Sequence, residues 1–190
     1  MAEHSDFLAP MLVSEVPGHQ GRINAEPYVF VQPKHDGHCC MANTRTRRIY
    51  SRSGHEITTL PHINAALPVE GPEWLHGELW KDGATSDSVD VMIKQGDTSL
   101  GLHVFDCVGD KGFKSRMMNI FDSFIISPPV NRNIIFKVPT WEIMPEQIED
   151  IYARFLSEGY EGIIIRLDGH GYYHGRSQNV FKMKPGTEAV

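Results

Sequence analysis

Short strand-forming runs alternate with helical segments along nearly the whole chain, and this alternation constrains the fold more than any other feature of the sequence. Runs rich in β-branched and aromatic residues predict strands. These runs are YVFVQ (28–32), HCCMAN (38–43), RRIYSR (47–52), WLHGELW (74–80), LGLHVFDCV (100–108), IIFKVPTWEI (134–143), GIIIRL (162–167) and NVFKMK (179–184). The second and third are predicted to form a hairpin that turns near Asn43 and Thr44.

Four other segments have the apolar spacing of helices. They are LPHINAAL (60–67), SVDVMIKQG (88–96), KSRMMNIFDSFI (114–125) and MPEQIEDIYARFLSEG (144–159). Gly96 is the predicted end of the second segment, and the fourth has Pro145 near its start and Gly159 as its stop. The pattern predicts an α+β protein with much antiparallel sheet.

Composition limits the class of protein. With 190 residues, of which 41% are hydrophobic and 22% charged, we expect a soluble globular protein that forms a single domain over residues 1–190. No apolar run is long enough to span a membrane, and the first residues lack the features of a signal peptide. Cys39, Cys40 and Cys107 have neither the number nor the spacing of a disulfide framework or a zinc site, so we expect a reducing setting, the cytoplasm or, in a eukaryote, the nucleus. We also expect a monomer.

Net charge and histidine content place weaker limits on which ligands the protein can bind. The net charge of −6 argues against indiscriminate binding of polyanions but allows a local basic groove. The ten histidines include no convincing His-x3-His pair on a helix. The segment HDGH (35–38) could ligate a metal, but we interpret the histidines as surface or hydrogen-bonded core groups.

The segment VFVQPKHDGHCC (29–40) places a lysine, Lys34, at the end of a predicted buried strand. A lysine is a nucleophile only as the free amine, which is scarce at neutral pH because the usual pKa is ~10.4. Desolvation and nearby cations disfavour the charged form and so activate the amine. By itself the Lys-x-Asp-Gly pattern is short and common, and an ordinary surface turn is the alternative.

Further segments follow Lys34 in a recognisable order. They are YSRSG (50–54), HGELW (76–80), HVFDC (103–107), EGIIIR (161–166) and YYHGRSQNVFKMKP (172–185), and APMLV (9–13) precedes them. Together with the lysine segment they resemble the ordered motifs of ATP-dependent DNA ligases. The resemblance extends over nearly the whole chain and implies an ATP-grasp-like adenylation domain, with antiparallel sheets flanked by helices.

The resemblance also implies a reaction. Lys34 would attack the α-phosphate of ATP to form a covalent lysyl-AMP, with Mg²⁺ or Mn²⁺ as the metal. The AMP would then pass to the 5′-phosphate of a nick in double-stranded DNA, and the nick would be sealed, as in DNA repair, replication or recombination.

Four charged residues gain roles by the same resemblance. Lys182 and Lys184 would bind the α-phosphate from one face of a strand and activate Lys34, the alternative being a solvated strand face. Glu78 would contact the ribose or the metal, and Glu161 the metal. Because a carboxylate between apolar residues is costly unless it meets a cation or a donor, a salt bridge to Arg52 or Arg166 is the alternative for either one.

Residues near the base and ribose are also implied. Phe105 would stack on adenine, with core packing as the alternative, and Ile163 would cover the opposite face. Gln32 stands where ligases often carry Glu, and its amide oxygen could accept from the adenine amino group. Asp36 would orient the lysine or bind the ribose, and Gly37 would leave room for the nucleotide.

A cluster of four arginines is the local candidate for contacts with DNA phosphates, or else forms a solvated hairpin. Its members are Arg45, Arg47, Arg48 and Arg52, and Arg52 also matches the nucleotide-binding arginine of the second motif.

The chain departs from the ligase pattern at Cys39, where an Arg is usual, and at His76, where an Asp is usual. Few residues follow Lys184, whereas ligases continue into an OB-fold domain, so we expect no OB-fold domain in this chain. Either this is an excised adenylation domain, with the OB-fold domain as its partner, or the natural protein lacks that partner. We therefore expect this chain alone to bind nicked DNA weakly and to seal it poorly. Alternatives are an RNA ligase, an mRNA-capping guanylyltransferase, a non-sealing nucleic-acid-binding relative, and an unrelated α+β protein.

Overall fold

A computed structural model describes residues 7–126 and 133–187 of the chain, and within these ranges it contains ten strands and five helices. The strands are β1 (Met11–Glu15), β2 (Val29–Lys34), β3 (His38–Asn43), β4 (Arg48–Ser51), β5 (Trp74–Trp80), β6 (Gly101–Cys107), β7 (Ile135–Lys137), β8 (Trp141–Ile143), β9 (Gly162–Arg166) and β10 (Gly175–Met183). The helices are α1 (Gln20–Asn24), α2 (Pro61–Ala66), α3 (Ser86–Gln95), α4 (Phe113–Ile126) and α5 (Ile148–Ser157).

The strands form two five-stranded sheets. Sheet 1 has the order β1-β10-β9-β2-β8, and sheet 2 has the order β4-β3-β5-β6-β7. All pairs are antiparallel except β1 with β10 and β6 with β7. The expected α+β class with mostly antiparallel sheets is confirmed, and so is the hairpin of β3 and β4.

One predicted strand, over residues 134–143, is wrong. The segment forms two strands in different sheets: β7 pairs with β6 in sheet 2, and β8 pairs with β2 in sheet 1. Pro139 lies between them, and proline has no N–H to donate to a sheet. The short elements β1 and α1 were not predicted, because MLVSE and QGRIN have too few residues for a clear period.

The helix ends follow the local sequence. Thr85 caps α3 by accepting a hydrogen bond from the Ser88 N–H, and Gly96 ends the helix with a left-handed φ of 68°. The segment predicted as one helix over 144–159 begins with a 3-10 turn at Pro145–Gln147 before α5 starts.

Two apolar clusters cover the helix-facing sides of the sheets. The larger packs sheet 2 against α2, α3 and α4, with Leu75 and Phe113 among its fully buried members. The smaller packs sheet 1 against α1 and α5 and contains Ile165 and Phe155. Within the described ranges, every helix is too short or too polar to cross a bilayer.

Candidate active site

A cavity of about 550 Å³ lies between the two sheets and is lined by side chains from both. Successive side chains of β5 lie on opposite faces of sheet 2. Leu75 and Leu79 are in the core, whereas His76 and Glu78 line the cavity. The volume lies within the range of small-molecule sites, about 300–1,000 Å³.

The same alternation on β9 corrects one residue assignment. Ile163 and Ile165 are fully buried in the core of sheet 1, and Ile164 and Arg166 line the cavity. Ile163 therefore cannot cover a base in this cavity, and Ile164 occupies the position expected for it. The segment GIIIRL (162–167) contains only apolar and basic residues, so its sequence does not indicate which face of the strand is buried.

Lys34 lies at the end of β2, beside the cavity, and forms an ion pair with Glu161. The other carboxylate oxygen of Glu161 accepts a hydrogen bond from Lys184 Nζ at 2.9 Å, so one carboxylate bridges two ammonium groups. Burial opposes ionisation of Glu161, but the two lysine contacts outweigh it and hold the pKa of Glu161 below its usual range. The alternative for Glu161, a salt bridge to Arg52 or Arg166, is wrong, because its partners are the two lysines.

Gly162 allows this arrangement. A Cβ at Gly162 would lie 2.1 Å from the Met183 carbonyl oxygen, so only glycine permits β9 to lie this close to β10. The close approach places Glu161 next to Lys184, and the Glu161 N–H also donates to the Lys34 carbonyl at 3.1 Å.

Lys182 also lines the cavity, with its ammonium group held by Glu15 at 2.8 Å. Glu15 belongs to β1, which the sequence did not predict, and so this partner was missed. Lys182 of β10 and Lys184, which follows the strand, are thus held by different carboxylates.

Glu78 lies close to Lys34 and to Gly37, whose backbone N–H donates a hydrogen bond to its carboxylate. Burial raises the pKa of Glu78 to about 7, although Lys34 and the Gly37 N–H both act to lower it. A Cβ at Gly37 would lie 2.7 Å from Glu78 Cγ and 2.5 Å from the Leu79 carbonyl oxygen. The glycine therefore makes room for β5, and it also lines the cavity.

Gln32 lines the inner end of the cavity and has three hydrogen bonds. Its Nε2 donates to the Phe105 carbonyl at 3.0 Å and to Thr140 Oγ1 at 2.9 Å, and its Oε1 accepts from Arg166 Nε at 2.8 Å. Arg166 also donates to Asp106 at 2.9 Å. Thr140 and Arg166 are contacts that sequence reasoning missed, because they come from distant strands and a connecting segment.

Phe105 is half-buried at the cavity wall, so its ring is available to a ligand as well as packed. Its centroid lies 4.4 Å from the His76 ring and 5.3 Å from the Arg166 guanidinium.

The two departures from the ligase pattern are in contact. Cys39 Sγ lies 3.3 Å from His76 Nε2, and His76 Nδ1 lies 2.8 Å from the Tyr172 hydroxyl. That hydroxyl accepts from the Met11 N–H at 2.8 Å and lies 3.6 Å from Met41 Sδ, to which it can donate. Hydrogen bonds thus link Cys39, His76 and Tyr172 in a chain. Burial lowers the pKa of His76 to about 3 and raises the pKa of Cys39 to about 12, so both groups are neutral.

The four arginines of the cluster have different surroundings. Arg45 and Arg47 donate to backbone carbonyls of Val69 and Ala65, at 3.1 Å and 2.5 Å. Arg48 lies 3.7 Å from Glu56, and Arg52 alone among the four lines the cavity.

The carboxylates offer a sparse metal site. In the part of the chain that the structure describes, no three His, Cys, Asp or Glu side chains are grouped to hold an ion. Glu78 and Glu161 both lie beside Lys34, and Asp36 is close enough to raise the pKa of Glu78 further. One or two carboxylates suit Mg²⁺ when substrate phosphates and water supply the other ligands, so this donor set is compatible with that ion.

No protein-family profile matches the sequence. No characterised protein matches it by sequence either.

Solved structures share the fold. The chain matches a Lig E DNA ligase with a TM-score of 0.74 and 19% identity, over 93% of this chain and 68% of that one. It matches Chlorella virus DNA ligase-adenylate with a TM-score of 0.77 and 23% identity, over 93% and 67% of the two chains. It matches the ATP-dependent DNA ligase of bacteriophage T7, in complex with ATP, with a TM-score of 0.64 and 16% identity, over 97% and 69%.

These identities show a shared fold and nothing finer. The chain has the fold of the nucleotidyltransferase domain of ATP-dependent DNA ligases, as its motifs implied, and spans about two thirds of each of these three chains.

Proposed function

We propose that this chain is the adenylation domain of an ATP-dependent DNA ligase. Lys34 attacks the α-phosphate of ATP, an N–P bond forms, the bond from the α-phosphorus to the bridging oxygen breaks, and pyrophosphate leaves. The amine protons lost from Lys34 pass to solvent. The lysyl-AMP then transfers AMP to the 5′-phosphate of nicked DNA. The 3′-hydroxyl of the nick attacks that phosphate, forms the phosphodiester bond and displaces AMP.

The observation that carries this proposal is the bridge of Glu161 between Lys34 and Lys184 at the edge of the cavity. A nucleophilic lysine requires cations nearby to stabilise charge on the attacked phosphate and on the leaving group. Lys184 supplies one such cation beside Lys34, and Lys182 supplies a second at the cavity wall. The ion pair with Glu161 also fixes the position of the Lys34 side chain before a nucleotide binds.

Mg²⁺ or Mn²⁺, when bound with the nucleotide, neutralises phosphate charge. Glu78 and Glu161 are the residues that would hold it. Glu161 serves first as the lysine partner and must give up part of that contact when phosphate arrives.

Self-adenylylation tests the proposal. Incubation with α-³²P-labelled ATP and Mg²⁺ should label the protein through an acid-labile bond, and Lys34→Ala should abolish the label. Lys182→Ala and Lys184→Ala each remove a charge-assisted contact worth about 1.5–3 kcal/mol, so labelling should fall about 10- to 100-fold. Lys114→Ala is the matched control, because Lys114 is exposed and pairs with Glu142 away from the cavity. Label that persists in Lys34→Ala would refute the assignment.

Transfer to DNA is tested separately with a labelled nicked duplex. We propose that this chain binds the nick weakly, because Arg45 and Arg47 are engaged with backbone carbonyls and the net charge is −6. Sealing should therefore be poor and should fall steeply with salt, and addition of a basic OB-fold domain should improve it. Robust sealing at moderate salt would contradict this part of the proposal.

A further inference from the structure

Helix α4 is apolar on both of its faces. Its inner face packs against sheet 2 through Phe113, Met117 and Ile120. Its outer face carries four further large apolar side chains that are between 44% and 69% exposed, which we call the α4 stripe: Met118, Phe121, Ile125 and Ile126. A helix at the surface of a protein normally has a polar outer face, and a helix that is apolar all round is normally buried.

Helix α5 of the same chain shows the usual pattern. Tyr152 and Phe155 are buried on its inner face, whereas Glu149, Asp150 and Arg154 are exposed on its outer face. The apolar outer face is therefore particular to α4. Its four side chains together expose on the order of 400 Å², a size at which an apolar patch on a monomer often marks an interaction site.

The α4 stripe has a cation on one side and a carboxylate on the other. At about 100° per residue, Phe121 and Asp122 lie about 50° to either side of the line through Met118 and Ile125. Lys137 of β7 lies on the Phe121 side, with Nζ 4.9 Å from the centroid of the Phe121 ring. The exposed carboxylate of Asp122 is on the opposite side of the stripe.

These two charges have no counterions in the part of the chain that the structure describes. Neither Lys137 nor Asp122 forms an ion pair or a side-chain hydrogen bond with another described residue. Burial lowers the pKa of Lys137, and no neighbouring carboxylate offsets this effect. Lys114, at the start of α4, differs because it pairs with Glu142 at 2.8 Å.

A second copy of the chain would supply both missing partners. A twofold axis parallel to α4 keeps each residue at its height along the helix and exchanges the two sides of the stripe. The Lys137 side of one copy then faces the Asp122 side of the other, and the pair forms twice. An antiparallel arrangement would instead place Lys137 opposite its own counterpart.

We infer that the α4 stripe is a homodimer interface, in which two copies pack α4 against α4 in parallel and Lys137 of each copy pairs with Asp122 of the other. The inference departs from the monomer expected from the sequence and goes beyond the proposed function. Because α4 covers the helix-facing side of sheet 2, and the cavity lies between the two sheets, the dimer leaves the cavity open.

Sedimentation equilibrium of the unaltered chain tests the interface without a nucleotide, so the outcome does not depend on the proposed function. The mass should rise with concentration from 21.4 kDa toward twice that value. A dissociation constant on the order of 10 μM is expected, because the apolar area is at the small end of the range for specific interfaces.

Ile125→Glu places a charge at the centre of the interface and should raise the dissociation constant about tenfold or more. The matched control is Val91→Glu, which alters a half-exposed apolar residue of α3 and should leave association unchanged. A mass that stays at 21.4 kDa at every concentration, or equal weakening by the two substitutions, would overturn the inference.

A charge exchange tests the parallel arrangement. Asp122→Lys and Lys137→Asp each bring like charges together at both contacts, so each should raise the dissociation constant about fivefold at low salt. An equimolar mixture of the two variants should restore association, because a dimer with one copy of each has opposite charges at both contacts. A mixture that associates no more tightly than either variant alone would overturn the parallel dimer.

Discussion

At the scale of single residues, the Cys39–His76 contact determines what can replace either side chain. His76 bonds to Cys39 through Nε2 and to the Tyr172 hydroxyl through Nδ1. Position 39 must therefore offer a small group that forms a hydrogen bond with a neutral imidazole. An arginine there would place a cation against this imidazole in a buried position.

Cys39→Arg alone should consequently weaken the protein, although the ligase pattern has an arginine there. We expect a loss of about 1–3 kcal/mol in the free energy of unfolding, the cost of an unsatisfied buried group, and reduced self-adenylylation. The double variant Cys39→Arg/His76→Asp should recover much of both, because a carboxylate accepts from the guanidinium. Urea unfolding and labelling with ATP measure the two effects.

Cys39→Ser is the control, since a hydroxyl, like the thiol, can donate or accept the hydrogen bond with His76. Strictly additive effects of the two substitutions in the double variant would show that positions 39 and 76 do not depend on each other.

At the scale of elements, a group of rings joins the two sheets beside Lys34. His35 follows β2 and lies 4.5 Å from the Trp80 ring of β5 and 4.9 Å from the His103 ring of β6. His103 in turn stacks on Phe136 of β7 at 4.7 Å. Burial lowers the pKa of His35 to about 3, with His103 and Lys34 adding to the effect, and burial lowers the pKa of His103 to about 4.

These shifts make stability depend on pH. Above about pH 6.5 both imidazoles are neutral in the folded and in the unfolded state. Below that pH the unfolded state binds protons that the folded state does not bind, so the free energy of unfolding decreases. His103→Phe keeps the stacking and removes one proton site, so its stability should fall less between pH 6.5 and 4.5. The difference should reach about 1.4 kcal/mol per pH unit. Urea titrations at several pH values measure it.

Glu78 acts in the opposite direction in part of this range, because its pKa is raised to about 7. The comparison of His103→Phe with the parent protein removes that common contribution. Near pH 8 the difference in free energy of unfolding between the two proteins should not change with pH. A parallel decline of both free energies at acid pH would contradict the role given to His103.

Prediction from sequence succeeded for elements with a clear period and failed where tertiary pairing decided the outcome. WLHGELW was predicted as a strand and forms β5, and Glu78, to which the resemblance pointed, lines the cavity. GIIIRL has three identical residues in a row, so nothing in the segment distinguishes the cavity face from the core face, and Ile163 was chosen in place of Ile164. The contacts of Gln32 with Thr140 and Arg166 join residues more than 100 positions apart, which no local pattern reports.

At the scale of the whole molecule, the buried group of Asp106, Arg116 and Arg166 connects sheet 2, α4 and sheet 1. Asp106 is fully buried, and the two arginines are 2% and 3% exposed. Removing the carboxylate leaves two buried cations without their counterion. Asp106→Asn should therefore cost about 3–5 kcal/mol in the free energy of unfolding.

The control is Glu158→Gln, which breaks the exposed ion pair with Arg154 on α5 and should cost about 0.5 kcal/mol or less. Urea denaturation of both variants distinguishes the buried charge from a surface charge. Similar small losses in the two variants would show that Asp106 does not balance the arginines.

The connection from β7 to β8 has a mechanical consequence. Val138, Pro139 and Thr140 carry the chain from the last strand of sheet 2 to the last strand of sheet 1, and they are tied to both by the Val138 N–H to the Val104 carbonyl and by Thr140 to Gln32. Three residues reach about 11 Å at full extension, so this tether sets a limit on how far the sheets can part at their Gln32 end. His35, Asp36 and Gly37, which follow Lys34, connect β2 of sheet 1 to β3 of sheet 2 and tether the sheets at the lysine as well. Any widening of the cavity at Lys34 and Gln32 would therefore require these two short connections to change conformation.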